Sequence, residues 1–258
     1  MIREHLFHKR APADPLFRWR GAEVSRLEAF SDGIFAVVLT LLIVSVTVPT
    51  TFYELWTTVR DLPVFLVSFA MLMMAWYYHY QFFRRYGLED FLTTILNAAF
   101  LFLILFFAYP LKFLAAFLWN LVLGIETAPM FAIPEGVPWA HDEMFQRTWM
   151  MYFYGFGILG VFGLLALMVW VALRKREALE LDTLEIYLTK RALMHHLITV
   201  GVALLSIMAL LLTDNPGIAG ITYFLMGPLH GGVGWWGGVH AEKIHQSLLK
   251  KASANLAP

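Results

Sequence analysis

The sequence predicts an all-α integral membrane protein with six transmembrane helices in a single repeat and both termini cytoplasmic. Three observations carry that expectation. The 258 residues are 59% hydrophobic and only 15% charged, with 22 Phe and 9 Trp, whereas soluble domains carry about 25% charged residues. Mainly apolar runs of the ~20 residues that cross a ~30 Å hydrocarbon core recur along the chain. Lys and Arg fall heavily on one side of those runs. The formal net charge of zero argues against a nucleic-acid partner, and the lack of cysteine excludes disulfides, thiolate metal sites, iron–sulfur clusters and a cysteine nucleophile.

Residues 1–25 are polar and basic, without the apolar centre of a signal peptide, and read as a cytoplasmic arm. Spans are expected at about 27–48, 62–80, 91–119, 149–173, 192–212 and 217–239, forming a transmembrane domain over 26–240 with a cytoplasmic tail over 241–258. Pro110 marks a kink or an early end in the third span, because proline cannot donate the helical hydrogen bond. The outer loop from about Asn120 to Thr148 holds three prolines and reads as partly irregular. Arg174–Arg191 reads as a cytoplasmic helical linker, and the sixth span is rich in Gly and contains Pro228 and His230.

Sixteen of the 19 Lys and Arg lie in the arm, the second-to-third and fourth-to-fifth connections and the tail; only Arg60, Lys112 and Arg147 lie opposite. By the positive-inside rule both termini are cytoplasmic. Two motifs are decoys. TVGV at Thr199–Val202 lacks the aromatic-Gly continuation of a carbonyl filter and sits within a span. GFGILG at Gly155–Gly160 has the GxGxxG pattern, which carries meaning only between a soluble strand and a helix; within a span it lets helices approach closely.

The first span opens with a polar stretch, Arg26–Asp32 (RLEAFSD). At ~100° per residue, Phe30, Gly33, Val37, Leu41, Val44 and Val48 fall along one smooth apolar stripe with Thr40 at its edge. Asp32 points about 140° away from Val37 by the same arithmetic. An intramembrane Asp needs partners and marks a functional or organising site. Trp76 and His79, at i, i+3 near the end of the second span, and Asn97 in the third lie at a similar depth, and together suggest a shared polar network.

RxxxFSD at Arg26–Asp32, an apolar helix with Thr40, WxxHxxxF at Trp76–Phe83 and the pattern around Asn97 ending at Pro110 resemble the endosomal/lysosomal potassium channel family, transmembrane protein 175, in its prokaryotic branch. The resemblance implies a moderately potassium-selective, leak-type cation channel of the cell membrane and not an enzyme. It implies a homotetramer in the lipid bilayer, with no cofactor beyond permeant K+. It also implies a pore lined by the first helix of each subunit, with apolar constrictions at Val37, Leu41 and Val44 and hydroxyls from Thr40. Arg26, Phe30, Ser31, Asp32, Trp76, His79 and Asn97 then serve pore architecture. Val37 departs from the larger Ile or Leu common at the first constriction. Two other readings remain open: a secondary transporter, which the sixth span hints at with one broken helix, and a haem-binding redox protein using histidines such as His79, His195, His196, His230 and His240.

Overall fold

A computed structural model describes residues 14, 16–21, 23–44, 48–133 and 142–254, and among these no strand occurs. The helices are α1 (Arg26–Val44), α2 (Phe52–Arg60), α3 (Leu62–Tyr86), α4 (Phe91–Phe106), α5 (Ala108–Val122), α6 (Glu143–Arg174), α7 (Thr183–Thr213), α8 (Pro216–Thr222) and α9 (Met226–Ala254), with 3-10 turns at Ala128–Phe131 and Tyr223–Leu225. α3, α6 and α7 are each long and apolar enough to cross a bilayer, and α4 with α5 makes a fourth crossing if the bent pair spans as one.

Several boundaries differ from the sequence expectation for identifiable reasons. The described part of α1 runs to Val44, its 19 residues covering about 28 Å; residues 45–47, just before the expected end at 48, lie outside the described residues. α2 is additional to the expected elements. It starts on a capping box in which Thr51 Oγ1 accepts the Glu54 N–H and Glu54 accepts the Thr51 N–H, satisfying two orphan donors. The backbone N–H and hydroxyl of Thr50 also hold the Glu54 carboxyl below its ordinary range. α3 runs on to Tyr86, six residues past the expected end at 80, and stops at Gly87 in the left-handed region, φ +57°.

The third expected span is two helices meeting at 55° around Phe107. Pro110 lacks the N–H that would bond the Phe106 carbonyl, and its ring crowds that carbonyl, so the break falls there. The sixth expected span is broken too, at Tyr223–Leu225, and its second half continues as one helix to Ala254 through most of the expected tail. The separate helical linker over 174–191 is corrected. α6 stops at Arg174, Glu180 turns the chain with φ +48°, and α7 begins at Thr183 behind an Asp182–Glu185 capping box. Part of the outer loop, residues 134–141, lies outside the described residues.

α6 is the spine of the fold, packed along α7 on one side and α4 on the other. The glycines of GFGILG serve that packing. A Cβ on Gly157 would overlap the Phe107 ring at the helix break, one on Gly160 would stand 2.7 Å from Leu103, and one on Gly155 3.1 Å from Ile207. Gly157→Ala is therefore expected to destabilise the protein by about 1–3 kcal/mol through overpacking, measured as a lower midpoint in thermal unfolding of the purified protein. Gly163→Ala, with nothing within 4 Å of its Cβ, is the control.

The described residues 16–21 of the N-terminal arm are docked against the bundle. Phe17 is fully buried among Phe82, Phe83, Tyr86, Leu184 and Leu188. The Arg20 and Gly21 N–H groups both donate to the Arg84 carbonyl at 3.1 Å. At the same end of the bundle, Lys175 bonds Asp90 at 2.6 Å and holds that carboxyl below its ordinary range.

Candidate functional site

α1 has two contrasting faces. Glu28, Ser31, Phe35, Val38 and Leu42 are buried, and their spacing of three, four, three and four residues is one stripe of an α-helix. Phe35, Val38 and Leu42 pack on Leu72 and Ala75 of α3, Phe100, Leu101 and Ile104 of α4, and Ala108 of α5. Along the other face, Phe30 is 62% exposed, Val37 is 48% exposed, and Gly33 and Thr40 are exposed with them. Leu41 is only half-buried, at the edge of the stripe against the same cluster. Val44 is the last described residue of α1 and its side chain lies outside the described residues, as does Val46.

Thr40 spends its hydroxyl hydrogen on the backbone, donating to the Val37 carbonyl at 2.6 Å. Its oxygen keeps lone pairs for another partner, the property a cation requires.

The polar residues assemble into two short chains. Trp76 Nε1 donates to Asp32 Oδ1 at 2.9 Å while its indole stacks on Tyr80 at 5.3 Å. Deeper in the protein, Ser31 Oγ donates to the Leu27 carbonyl at 2.8 Å and accepts Asn97 Nδ2 at 3.0 Å, and Asn97 Oδ1 lies 2.7 Å from His79 Nε2. Asn97 Oδ1 can only accept, so His79 carries its proton on Nε2. The His79 ring is clasped between Phe100, Phe83 and Phe35, with Nδ1 buried and without a hydrogen-bond partner. These bonds fix α1, α3 and α4 in register. Arg26 is exposed at the start of α1 and joins neither chain.

Asn97→Leu leaves the buried His79 N–H unsatisfied, which costs about 1–3 kcal/mol. The expected result is a lower unfolding midpoint, partly recovered in the His79→Leu, Asn97→Leu double variant because both polar partners are then gone.

Sequence reasoning missed the charged layer beneath this network. Glu28, on the buried face of α1, pairs with Arg84 Nη2 of α3 at 3.0 Å, and Arg84 also donates to the Gly21 carbonyl at 3.0 Å. Arg20 bonds Glu185 at 2.6 Å and the carbonyls of Leu179 and Glu180. Glu28 lies three residues before Ser31 on the helical wheel, so its face was legible; its partner, 56 positions away by residue number, was not.

Four of the candidate histidines have partners within the protein. His79 is bonded to Asn97, His196 meets Tyr78 edge-to-face and lies tilted against Phe162, and His195 and His230 bond each other at 2.9 Å through Nδ1. Both helix breaks face α6 through aromatic residues: Phe107 lies against Phe153 at 5.0 Å, and the Tyr223 hydroxyl lies near Gly155.

A profile of the family described as endosomal/lysosomal potassium channel TMEM175 matches residues 26–108, which include α1 and every residue of the two polar chains. A protein of Marivirga tractuosa named "Potassium channel" is 36% identical over 222 residues, covering 84% of this chain and 88% of its own length. One from Chamaesiphon minutus, also named a potassium channel, is 32% identical over 139 residues, or 50% of this chain and 65% of its own. Among solved structures, a variant of the potassium channel MtTMEM175, in complex with a nanobody–MBP fusion protein, superposes with a TM-score of 0.73 at 33% identity, covering 89% of this chain and 98% of that one. Sequence, fold and motif placement agree: the chain belongs to the endosomal/lysosomal potassium channel TMEM175 family, a family of channels and not of enzymes.

Proposed function

We propose that the protein is a moderately potassium-selective, leak-type channel of the cell membrane, a homotetramer whose pore is lined by α1. The observation that carries this reading is the exposed apolar face of α1. Its opposite face is fixed by core packing and two hydrogen-bond chains, while Phe30, Gly33, Val37 and Thr40 meet nothing within the protomer that buries them. Four such faces around an axis make a narrow apolar neck that gates by dewetting. Val37, Leu41 and Val44 form the constrictions, and Thr40 supplies oxygens one turn from Val37. Potassium sheds hydration water at lower cost than sodium, so an apolar neck favours it modestly.

Six crossings with cytoplasmic termini follow if α1, α3, the α4–α5 pair, α6, α7 and the α8–α9 pair each span. Support comes from the gathering of Arg20, Arg84, Lys175 and Glu185 with the N-terminal segment at one end of the bundle, as alternating directions require. Residues 26–240 then form the membrane domain and K+ is the permeant ion, with no resident cofactor.

Reversal potentials of the protein reconstituted in a planar bilayer, with potassium and sodium opposed, test the reading. A potential displaced toward the potassium equilibrium value supports it. Saturable flux that depends on a second coupled ion favours a transporter and sinks it.

A further inference from the structure

α7 and α9 meet through a histidine pair that the channel reading does not use. His195 Nδ1 and His230 Nδ1 are 2.9 Å apart, the rings are parallel within 5°, and their centroids lie 5.2 Å apart. Parallel rings stacked face over face cannot bring two nitrogens that close at this centroid separation. The rings instead lie end to end in one plane, so the N–H of one aims along the lone pair of the other. This geometry suits a proton. A zinc ion would need its nitrogens at about 2.0–2.1 Å each and converging on one off-axis point, which collinear lone pairs do not provide.

Thr199 settles the tautomers. Its hydroxyl donates to the His195 carbonyl at 3.3 Å, and its oxygen lies 3.1 Å from His230 Nε2. With its hydrogen spent, the hydroxyl oxygen accepts His230 Nε2–H. His230 Nδ1 therefore carries a lone pair and accepts His195 Nδ1–H, leaving a lone pair on His195 Nε2. One added proton enters at His195 Nε2 and keeps the bond, now charge-assisted. A second must go on His230 Nδ1, where two N–H groups would confront each other.

The first half of α9 lies along α7 and buries few side chains within the protomer, with Tyr187 donating to the Gly237 carbonyl at 3.3 Å. It contains Gly227, Pro228, Gly231, Gly232 and Gly234, and from 226 to 240 Gly237 is the sole buried residue among those described. Arg191 of α7 lies along Gly237, where a Cβ would meet its side chain at 2.5 Å, and its positive charge further opposes a second proton. His196 turns away toward Tyr78 of α3 and Phe162 of α6, and His240 lies against Tyr187 one helical stretch on.

We propose that His195, His230 and Thr199 form a proton-binding latch that pins the first half of α9 to α7 and releases it in acid. The docked pair holds one added proton and the undocked pair two. Below the ordinary imidazole range near pH 6.5, docking therefore weakens about tenfold per pH unit.

Amide hydrogen exchange of residues 226–236 in the intact purified protein, divided by the intrinsic rate at each pH, reads the opening equilibrium even when the open form is rare. Between pH 6 and pH 4.5 that quotient is expected to rise about tenfold per unit in the parent and to stay flat in His230→Leu. Thr199→Val, which keeps both imidazoles, is expected to open more readily at pH 8 while retaining the slope. A flat quotient in the parent, or the same slope in His230→Leu, overturns the latch. So does a Thr199→Val protein indistinguishable from the parent at pH 8.

Discussion

Glu28→Ala is expected to lower the stability of the protein by about 3 kcal/mol, at the lower end of the 3–5 kcal/mol typical when one member of a buried ion pair is removed. The carboxylate side chain is 4% exposed and its Arg84 partner 13% exposed, so neither is well screened by water. Loss of Glu28 leaves the guanidinium with the Gly21 carbonyl at 3.0 Å and the face of Tyr80 at 5.5 Å. Those contacts keep the cost below the upper bound. The contact at 3.0 Å is an ion pair without the alignment of a hydrogen bond, since Glu28 Oε1 lacks a hydrogen-bond partner. Its strength is therefore Coulombic, and it is costly to halve. Replacing both residues by methionine removes both charges, and the double variant is expected to recover most of the loss. Thermal unfolding of the parent, Glu28→Met, Arg84→Met and the double variant in one detergent, analysed as a double-mutant cycle, measures the coupling. A Glu28→Ala protein that melts with the parent would mean the pair is solvated and contributes nothing to joining α1 and α3.

This pair also shows what a sequence can and cannot disclose about the fold. Hydropathy marked every long apolar helix, because lipid and core both require unbroken apolar runs, and periodicity separated the two faces of α1 before any contact was visible. Pro110 gave away the bend at Phe107 because its defect is local and covalent. The Gly-rich sixth span with Pro228 hinted at a broken helix without placing the break at Tyr223–Leu225, since Pro228 sits in the first turn of α9, where a missing N–H costs nothing. Partners across the chain were legible only where a motif linked them. Asp32 with Trp76, and Ser31 with Asn97 and His79, lay within the recognised pattern and meet at 2.7–3.0 Å. Glu28 with Arg84 and Arg20 with Glu185 lay outside it, and their charges served only as markers of orientation. The His195–His230 pair was seen as two histidines in separate spans; no spacing rule predicts which residues face one another across neighbouring helices.

Val37→Asn is expected to bring the potassium-to-sodium permeability ratio toward one while conductance rises. In the pore proposed above, a ring of valines keeps water out of the neck. Its methyl groups offer an ion nothing in exchange for hydration, so each ion crosses the neck at the cost of part of its shell, and sodium, holding that shell more tightly, is penalised more. Asparagine is close to valine in length but presents an amide oxygen and N–H groups. Four amides keep the neck wet and substitute for lost waters, which lowers the barrier for both ions and lowers it most for sodium. The apolar Leu41 and Val44 of the proposed neck remain, as does Thr40 with its hydroxyl hydrogen already given to the Val37 carbonyl, so the preference weakens at the Val37 ring. The control is Val38→Asn, one residue along the same helix. Val38 is fully buried against α3 and α4, so an amide there has no route to the axis and is expected to cost stability through an unsatisfied polar group without altering ion preference in whatever channels form. Under opposed potassium and sodium, the Val37→Asn reversal potential is expected to move toward zero and the Val38→Asn potential to hold its parental value. The reverse pattern would place the permeation path on the other face of α1.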